Sequence, residues 1–349
     1  MSRSLLVTGG AGFIGSNFCH YWLNAYPADT LVVLDKLTYA GNEENLKGCS
    51  EYQHFHFVRG DICDQSTLEA LFAQHCFDTV VHFAAESHVD RSISGPDAFI
   101  ETNILGTYAL LKVAKQFWLE GSPVPSHRFH HVSTDEVYGS LGAEDPAFSE
   151  TTAYAPNSPY SASKASSDHL VRAYAHTFGL RVSTSNCSNN YGPRQHAEKL
   201  IPLTIQKILN AETIPVYGNG SNIRDWLYVE DHCRAIDLIL QSGDEGEVYN
   251  VGGENEWRNI DIVTVICEHI DQRFASDVSL ANEYPRALFH QGRSSTELIN
   301  FVQDRAGHDY RYAIDPSKCH DKLAFRPEED FHSGIAKTIH WYLKQNTQG

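Results

Sequence analysis

Through the first half of the chain, short apolar runs alternate with longer segments whose apolar positions recur every three or four residues. The runs SLLVT (4–8), TLVVLD (30–35), HFHFVR (54–59), DTVVHF (78–83) and FHHV (129–132) predict buried strands. Between them, segments such as FIGSNFCHYWL (13–23), PDAFIETNILGTYALLKVAKQFWL (96–119) and SPYSASKASSDHLVRAY (158–174) carry the helical period. Alternation of this kind up to about residue 190 predicts a Rossmann-like, doubly wound parallel α/β sheet. From YGPRQHAEKLIPLTIQKILN (191–210) onward the alternation lapses, and a smaller mixed domain is expected. RDWLYVEDHCRAIDLIL (224–240) and EVYNVGG (247–253) read as a helix and strand returning to the first domain. The expected division is therefore interleaved, with residues 1–190 and 223–252 in one domain and 191–222 and 253–349 in the other.

The helix over 96–119 carries Phe99, Ile100, Ile104, Leu105, Leu110, Leu111, Phe117 and Trp118, more apolar surface than one sheet-facing stripe needs. That surplus predicts a helix-mediated homodimer. No run of about 18 apolar residues is present, so no membrane span is expected.

Strand ends carry the candidate chemistry. TGGAGFIG places Gly9, Gly12 and Gly15 between the first strand and a helix, where a tight turn lets backbone approach a pyrophosphate at the positive helix end. The second strand ends in Asp35, which can accept both ribose hydroxyls of an adenosine and would repel a 2′-phosphate. NAD is therefore expected over NADP, although Lys36 is adjacent. Asp61 and Ile62 fall where an adenine would be flanked, and Ala84 and Ala85 where backbone must run close to a cofactor.

Two YxxxK patterns occur, Tyr108–Lys112 within a helix and Tyr160–Lys164 at a helix start. Spacing i, i+4 puts each pair on one helix face. Only the second follows the strand that leads to Thr134, so only it can complete a Thr–Tyr–Lys group for oxidising an alcohol. A nearby ammonium and a cationic nicotinamide would favour the Tyr160 phenolate. Directly after Thr134 stand two carboxylates, Asp135 and Glu136, an acid and a base at the end of a buried strand.

Composition narrows the partners. The 349 residues carry a net charge of −17, which repels phosphate backbones and argues against nucleic acid. Lys199, Arg224 and Arg305 are candidates to hold a small ligand's diphosphate. Eight scattered cysteines without a CxxC pair predict reduced thiols and a cytoplasmic location. HExxH is absent and no metal is expected.

The chain resembles the extended short-chain dehydrogenase/reductases, and within them the dTDP-glucose 4,6-dehydratases. TGGAGFIGSNF, LDKLTYAGN, GDI, FAAESHVDRSI, ETNILGTY, STDEVYG, SPYSASKA, NCSNNYGP, EKLIP, RDWLYVEDH and DRAGHDYRYAID carry the resemblance over nearly the whole chain. It implies NAD contacts at Phe13, Ile14, Asp35, Lys36, Leu37, Thr38, Asp61, Ile62 and the run Phe83, Ala84, Ala85, Glu86 and Ser87. Thr102, Tyr160, Lys164 and Asn190 complete that set. It implies sugar-nucleotide contacts at Ser87, Thr134, Asn189, Glu198, Lys199, Leu200, Pro215, Val216, Tyr217, Arg224 and Asn259. The last contacts fall on Asp304, Arg305, Ala306, Gly307 and His308, where Ala306 replaces the family's usual proline.

The resemblance further implies Asp135 as acid and Glu136 as base in removing water across carbons 5 and 6, after oxidation at carbon 4 and before hydride return to carbon 6. Two other readings use much of the same group: a sugar-nucleotide 4-epimerase or a dehydratase of another nucleotide-sugar, and a non-catalytic NAD-binding regulator. The acid pair counts against the epimerase, and the intact Tyr160 and Lys164 count against the regulator.

Overall fold

The computed structural model describes residues 2–120, 123–304 and 308–346. Seven strands form one parallel sheet: β1 (Ser4–Thr8), β2 (Thr30–Asp35), β3 (Phe55–Arg59), β4 (Thr79–His82), β5 (Arg128–Thr134), β6 (Val182–Cys187) and, after three strands that lie elsewhere, β10 (Val248–Val251). Their order is β10-β6-β5-β4-β1-β2-β3. The chain runs outward from β1 to β3, then crosses back to place β4 on the other side of β1. Loops at the carboxyl ends of β1 and β4 thus diverge and leave a crevice, the usual ligand position in doubly wound sheets.

Around β1 and β2 the sheet is apolar on both faces because helices cover both. Leu6, Val32, Leu34, Val80 and Phe129 pack under helices Gln65–His75 and Thr107–Leu119. Leu5, Val7, Leu31, Val33 and Val81 point the other way, against Phe18 and Trp22 of helix Phe13–Ala25 and Ile236 of helix Val229–Ser242. This strict alternation is the two-residue period of a strand. Each fully buried large side chain among them contributes on the order of 2 kcal/mol.

A smaller lobe has its own core around Tyr191, Ile205, Ile266, Phe274 and Phe331. Here β7 (Asn189–Tyr191), β11 (Glu256–Arg258) and β13 (Arg311–Tyr312) all pair with β9 (Ile223–Tyr228), β11 antiparallel and the others parallel. Separately, β8 (Ile214–Tyr217) pairs with β12 (Ile299–Val302). The expected boundaries at 190/191 and 222/223 run through this sheet: β7 begins before the first, and β9 pairs with strands of the smaller lobe. Helix Val229–Ser242 and β10 do return to the large sheet.

Residues 96–119 form a compound helix, with α-helical turns at Asp97–Phe99 and Thr107–Leu119 joined by a π-helical stretch, Ile100–Gly106. Phe99, Leu110, Leu111 and Trp118 are buried, whereas Ile100, Leu105 and Tyr108 stay 46%, 54% and 44% exposed. Lys112 reaches Gln65 Oε1 at 2.9 Å, so the Tyr108–Lys112 pair belongs to the surface of this layer.

Candidate active site

A cleft of about 300 Å³ opens at the crevice between β1 and β4. Its floor is the glycine turn. Gly9 has φ +72°, and a Cβ there would sit 2.6 Å from Ala84 N; one on Gly15 would sit 2.3 Å from Gly9 O. Neither position has room for a side chain, so strand end, turn and helix start can close together. Asp35 Oδ2 accepts from Ala11 N at 2.9 Å and Oδ1 from Leu37 N at 2.8 Å, fixing this carboxylate at the edge of the turn. Lys36 reaches across to Asp61 Oδ2 at 2.6 Å. Burial pushes Asp61 up, but Lys36 and the Cys63 amide outweigh it and hold the carboxyl below its ordinary range.

Every expected cofactor residue lines this cleft except Leu37, whose amide instead holds Asp35. The π-helical stretch accounts for Thr102: the widened turn presents it to the cleft, while the next residue, Asn103, clamps the β4 loop. Asn103 Oδ1 accepts from Glu86 N at 2.8 Å, and its amide donates to Glu86 O at 3.0 Å and Ser163 Oγ at 2.8 Å.

At the far end of the cleft β5 delivers Thr134, Asp135 and Glu136. The strand ends at Thr134, whose Oγ1 accepts from Glu136 N at 3.3 Å and starts a 3₁₀ turn over Asp135–Tyr138. Helix Pro159–Phe178 supplies the other half. Ser158 and Ser161 cap each other reciprocally, Pro159 takes the first turn and Gly179 closes the end at φ +76°. Those caps fix Tyr160 and Lys164 against the end of β5. Lys164 Nζ is buried and donates to Val132 O at 2.9 Å.

The expected substrate residues divide. Ser87, Thr134, Asn189 and Lys199 line the cleft. Glu198 lies outside the lining, held by Arg91 at 3.0 Å and His88 at 3.3 Å. Leu200 begins the helix Leu200–Asn210, Pro215, Val216 and Tyr217 lie on β8, and Asn259 starts the helix Asn259–Ser276. His308 bonds Asp304 at 2.7 Å and meets the Tyr217 ring edge-on. Arg305, Ala306 and Gly307 lie outside the described residues. Arg224 is 7% exposed and lies away from the cleft lining. Its guanidinium donates to the carbonyls of Ile223, Asp309 and Tyr310 and stacks over Tyr312 at 4.2 Å.

Comparison with known proteins agrees with this arrangement. The sequence pattern of the family described as GDP-mannose 4,6 dehydratase matches residues 6–338. The chain is 52% identical to dTDP-glucose 4,6-dehydratase 1 of Escherichia coli (strain K12), over 97% of this chain and 92% of that one. It belongs to the dTDP-glucose 4,6-dehydratase family.

A dTDP-glucose 4,6-dehydratase from Streptomyces venezuelae, solved with NAD, superposes with TM-score 0.86 at 43% identity, covering 99% of this chain and 98% of that one. A UDP-glucose 4-epimerase from Thermotoga maritima shares the architecture at TM-score 0.82 but only 25% identity, covering 98% and 99% of the two chains. Fold alone does not separate dehydratase from epimerase, so the side chains at the end of β5 must.

Electrostatics give that acid pair of the dehydratase family two different members. Asp135 is 2% exposed, and burial, then Glu136, then Asp225 push its carboxyl well above the ordinary range; Arg224 and Thr134 only partly offset this. Burial therefore favours the protonated form of Asp135 more than that of the half-buried Glu136. Its Oδ2 is buried without a hydrogen-bond partner among the described residues, as befits a group meant for a ligand. In the protein alone the Tyr160 phenol is held against ionisation. Burial, then Glu136 and Cys187, raise it well above 10, and a hydrogen bond with Thr134 only moderates the rise.

Sequence reasoning missed Tyr39, Ser133, Cys187, Ser188, Gln195 and His196, all on the cleft wall. Tyr39 lies inside LDKLTYAGN, Ser133 inside STDEVYG, and Cys187 and Ser188 inside NCSNNYGP, whereas Gln195 and His196 fall between the quoted motifs and carried no such signal.

Proposed function

We propose that the protein removes water from dTDP-glucose to give dTDP-4-keto-6-deoxyglucose, as an NAD-dependent hydro-lyase. The juxtaposition of a buried Asp135 with Glu136, beside Thr134, Tyr160 and Lys164, is the observation that carries this reading. The cleft suits NAD: a glycine turn without room for side chains meets a helix start, with Asp35 and the Lys36–Asp61 bridge along the adenosine side. The chemistry NAD supplies when bound is acceptance of hydride from carbon 4 and its return to carbon 6, leaving no net redox change.

The chain's own residues handle protons. Lys164 and the bound nicotinamide's positive charge would favour release of the Tyr160 phenol proton, and the resulting phenolate would accept the proton of the carbon 4 hydroxyl. Thr134 bonds the same oxygen. A ketone at carbon 4 acidifies the carbon 5 hydrogen, which Glu136 removes as a carboxylate. Asp135 gives its proton to the departing carbon 6 hydroxyl, and a proton later returns to carbon 5.

Ser87, Asn189 and Lys199 of the cleft wall would face the sugar nucleotide, and the outer residues Glu198, Leu200, Pro215 to Tyr217, Arg224, Asn259 and His308 are carried to that side by the family resemblance alone. The protein works as a homodimer through the exposed Ile100, Leu105 and Tyr108, and in the cytoplasm, where its eight unpaired cysteines stay reduced.

Incubation with dTDP-glucose should yield a sugar nucleotide lighter by one water with no net change in the cofactor. An unchanged mass in a mixture of epimers would point to epimerisation instead. A parallel panel of nucleotide-glucoses reads out base preference.

A further inference from the structure

Behind the catalytic group lies a buried polar chain that the proposed reaction does not use. Asp168 is one helical turn beyond Lys164 and, like it, almost fully buried. Its Oδ2 accepts from Ser133 Oγ at 2.8 Å and Tyr154 Oη at 3.0 Å. Its Oδ1 lies 3.1 Å from His131 Nε2, and that nitrogen is 3.4 Å from Lys164 Nζ. His131 Nδ1 is buried with no partner among the described residues. Two neighbours of the reaction centre therefore rest on one carboxylate: Lys164 by charge across one helical turn, and the end of β5 through Ser133.

We propose that Asp168 is a positioning residue for the reaction, holding the Lys164 ammonium charged and in place and pinning the strand end that carries Thr134, Asp135 and Glu136. A buried ammonium needs a counter-charge. Burial lowers Lys164, and the groups that raise it again are Asp168 first and then Cys187 of β6. Around Asp168 itself, burial raises the carboxyl to about 6, while Lys164, Ser133, Tyr154 and His169 lower it. From β5 and β4, His131 and His82 face the same space, and burial holds both well below the ordinary histidine range, so neither supplies a competing charge.

The test rests on the dehydratase reading for its kinetic arm and is independent of it for its second arm. With Asp168→Asn the shape persists and the charge goes. Lys164 then loses its proton at lower pH, so the alkaline limb of kcat should move acidward by about one pH unit or more. The kcat loss should reach about 100-fold near pH 8 and shrink toward pH 6, with KM and bound NAD little changed. Asp168→Glu should recover part of the rate. A loss that is uniform across pH, or rescue absent in Asp168→Glu, would overturn the proposal.

In the second arm a double-mutant cycle of Lys164→Met and Asp168→Asn is read by chemical denaturation of the holoenzyme, without substrate. Non-additive stabilities are expected, and additive ones would overturn the coupling even if dTDP-glucose proved not to be the substrate. Should Asp168→Asn fail to fold, Ser133→Ala removes the strand link alone. It should lower kcat several-fold without moving the alkaline limb, and an unchanged kcat would overturn that link.

Discussion

The Arg91 guanidinium lies 3.9 Å from the centroid of the Tyr39 ring while donating to Glu198 at 3.0 Å. Tyr39 follows β2, Arg91 follows β4, and Glu198 precedes the helix Leu200–Asn210, so this contact straps three distant segments together over the cleft. Lys199 adds a 3.4 Å bond to Ser87 O, and Tyr39 meets His196 edge-on.

Arg91→Ala should release NAD faster. A cation–π contact and a half-exposed ion pair are each worth about 0.5–1 kcal/mol, so together about tenfold in the off-rate. Exchange of labelled NAD from the holoenzyme measures it, and an unchanged rate would remove the strap from the account of cofactor retention.

Asp135 carries a cost in stability. Its carboxyl is pushed well above the pKa of about 4 that it has in the unfolded chain, so in the window above that value unfolding releases a proton. Stability therefore falls as pH rises through that window, and Asp135→Asn escapes the fall. The variant should melt at higher temperature than the parent at pH 8, with the gap closing toward pH 4, while losing water elimination by about 100-fold or more. Thermal melts across pH test this; a variant that melts lower throughout would contradict a protonated Asp135.

Glu136→Gln should keep NAD bound and leave oxidation at carbon 4 possible, yet block removal of the carbon 5 hydrogen. In deuterated water the parent enzyme incorporates solvent deuterium at carbon 5, and the variant should do so about 100-fold more slowly or worse. Retained incorporation would reassign the base.

Leu105→Asp places a charge on the apolar surface that Ile100, Leu105 and Tyr108 expose. Sedimentation should then find monomers with an intact fold, since this side chain contributes little to its own subunit's core. Dimers persisting at micromolar concentration would place the interface elsewhere.

Much of this was written locally. Strand ends, the glycine turn, Asp35 at the close of β2, the capped start of the Tyr160 helix and the order Thr134–Asp135–Glu136 all follow from periodicity and turn chemistry over a few residues. So does the crevice, because strands alternating with helices wind into a parallel sheet whose carboxyl ends gather ligands.

Tertiary structure decided what depends on neighbours from far along the chain. Arg224 is a phosphate-ligand candidate by residue type, and only the fold shows that the carbonyls of Asp309 and Tyr310 and the ring of Tyr312 hold its guanidinium. Tyr160 is enclosed, and burial and then Glu136 raise its phenol, an effect that the YxxxK spacing does not carry. Two adjacent carboxylates are equivalent on paper. They differ in the fold because Asp135 is enclosed and Glu136 only half-buried, with Asp225 of β9 adding to the rise, and desolvation and Coulomb forces act through space rather than along the sequence.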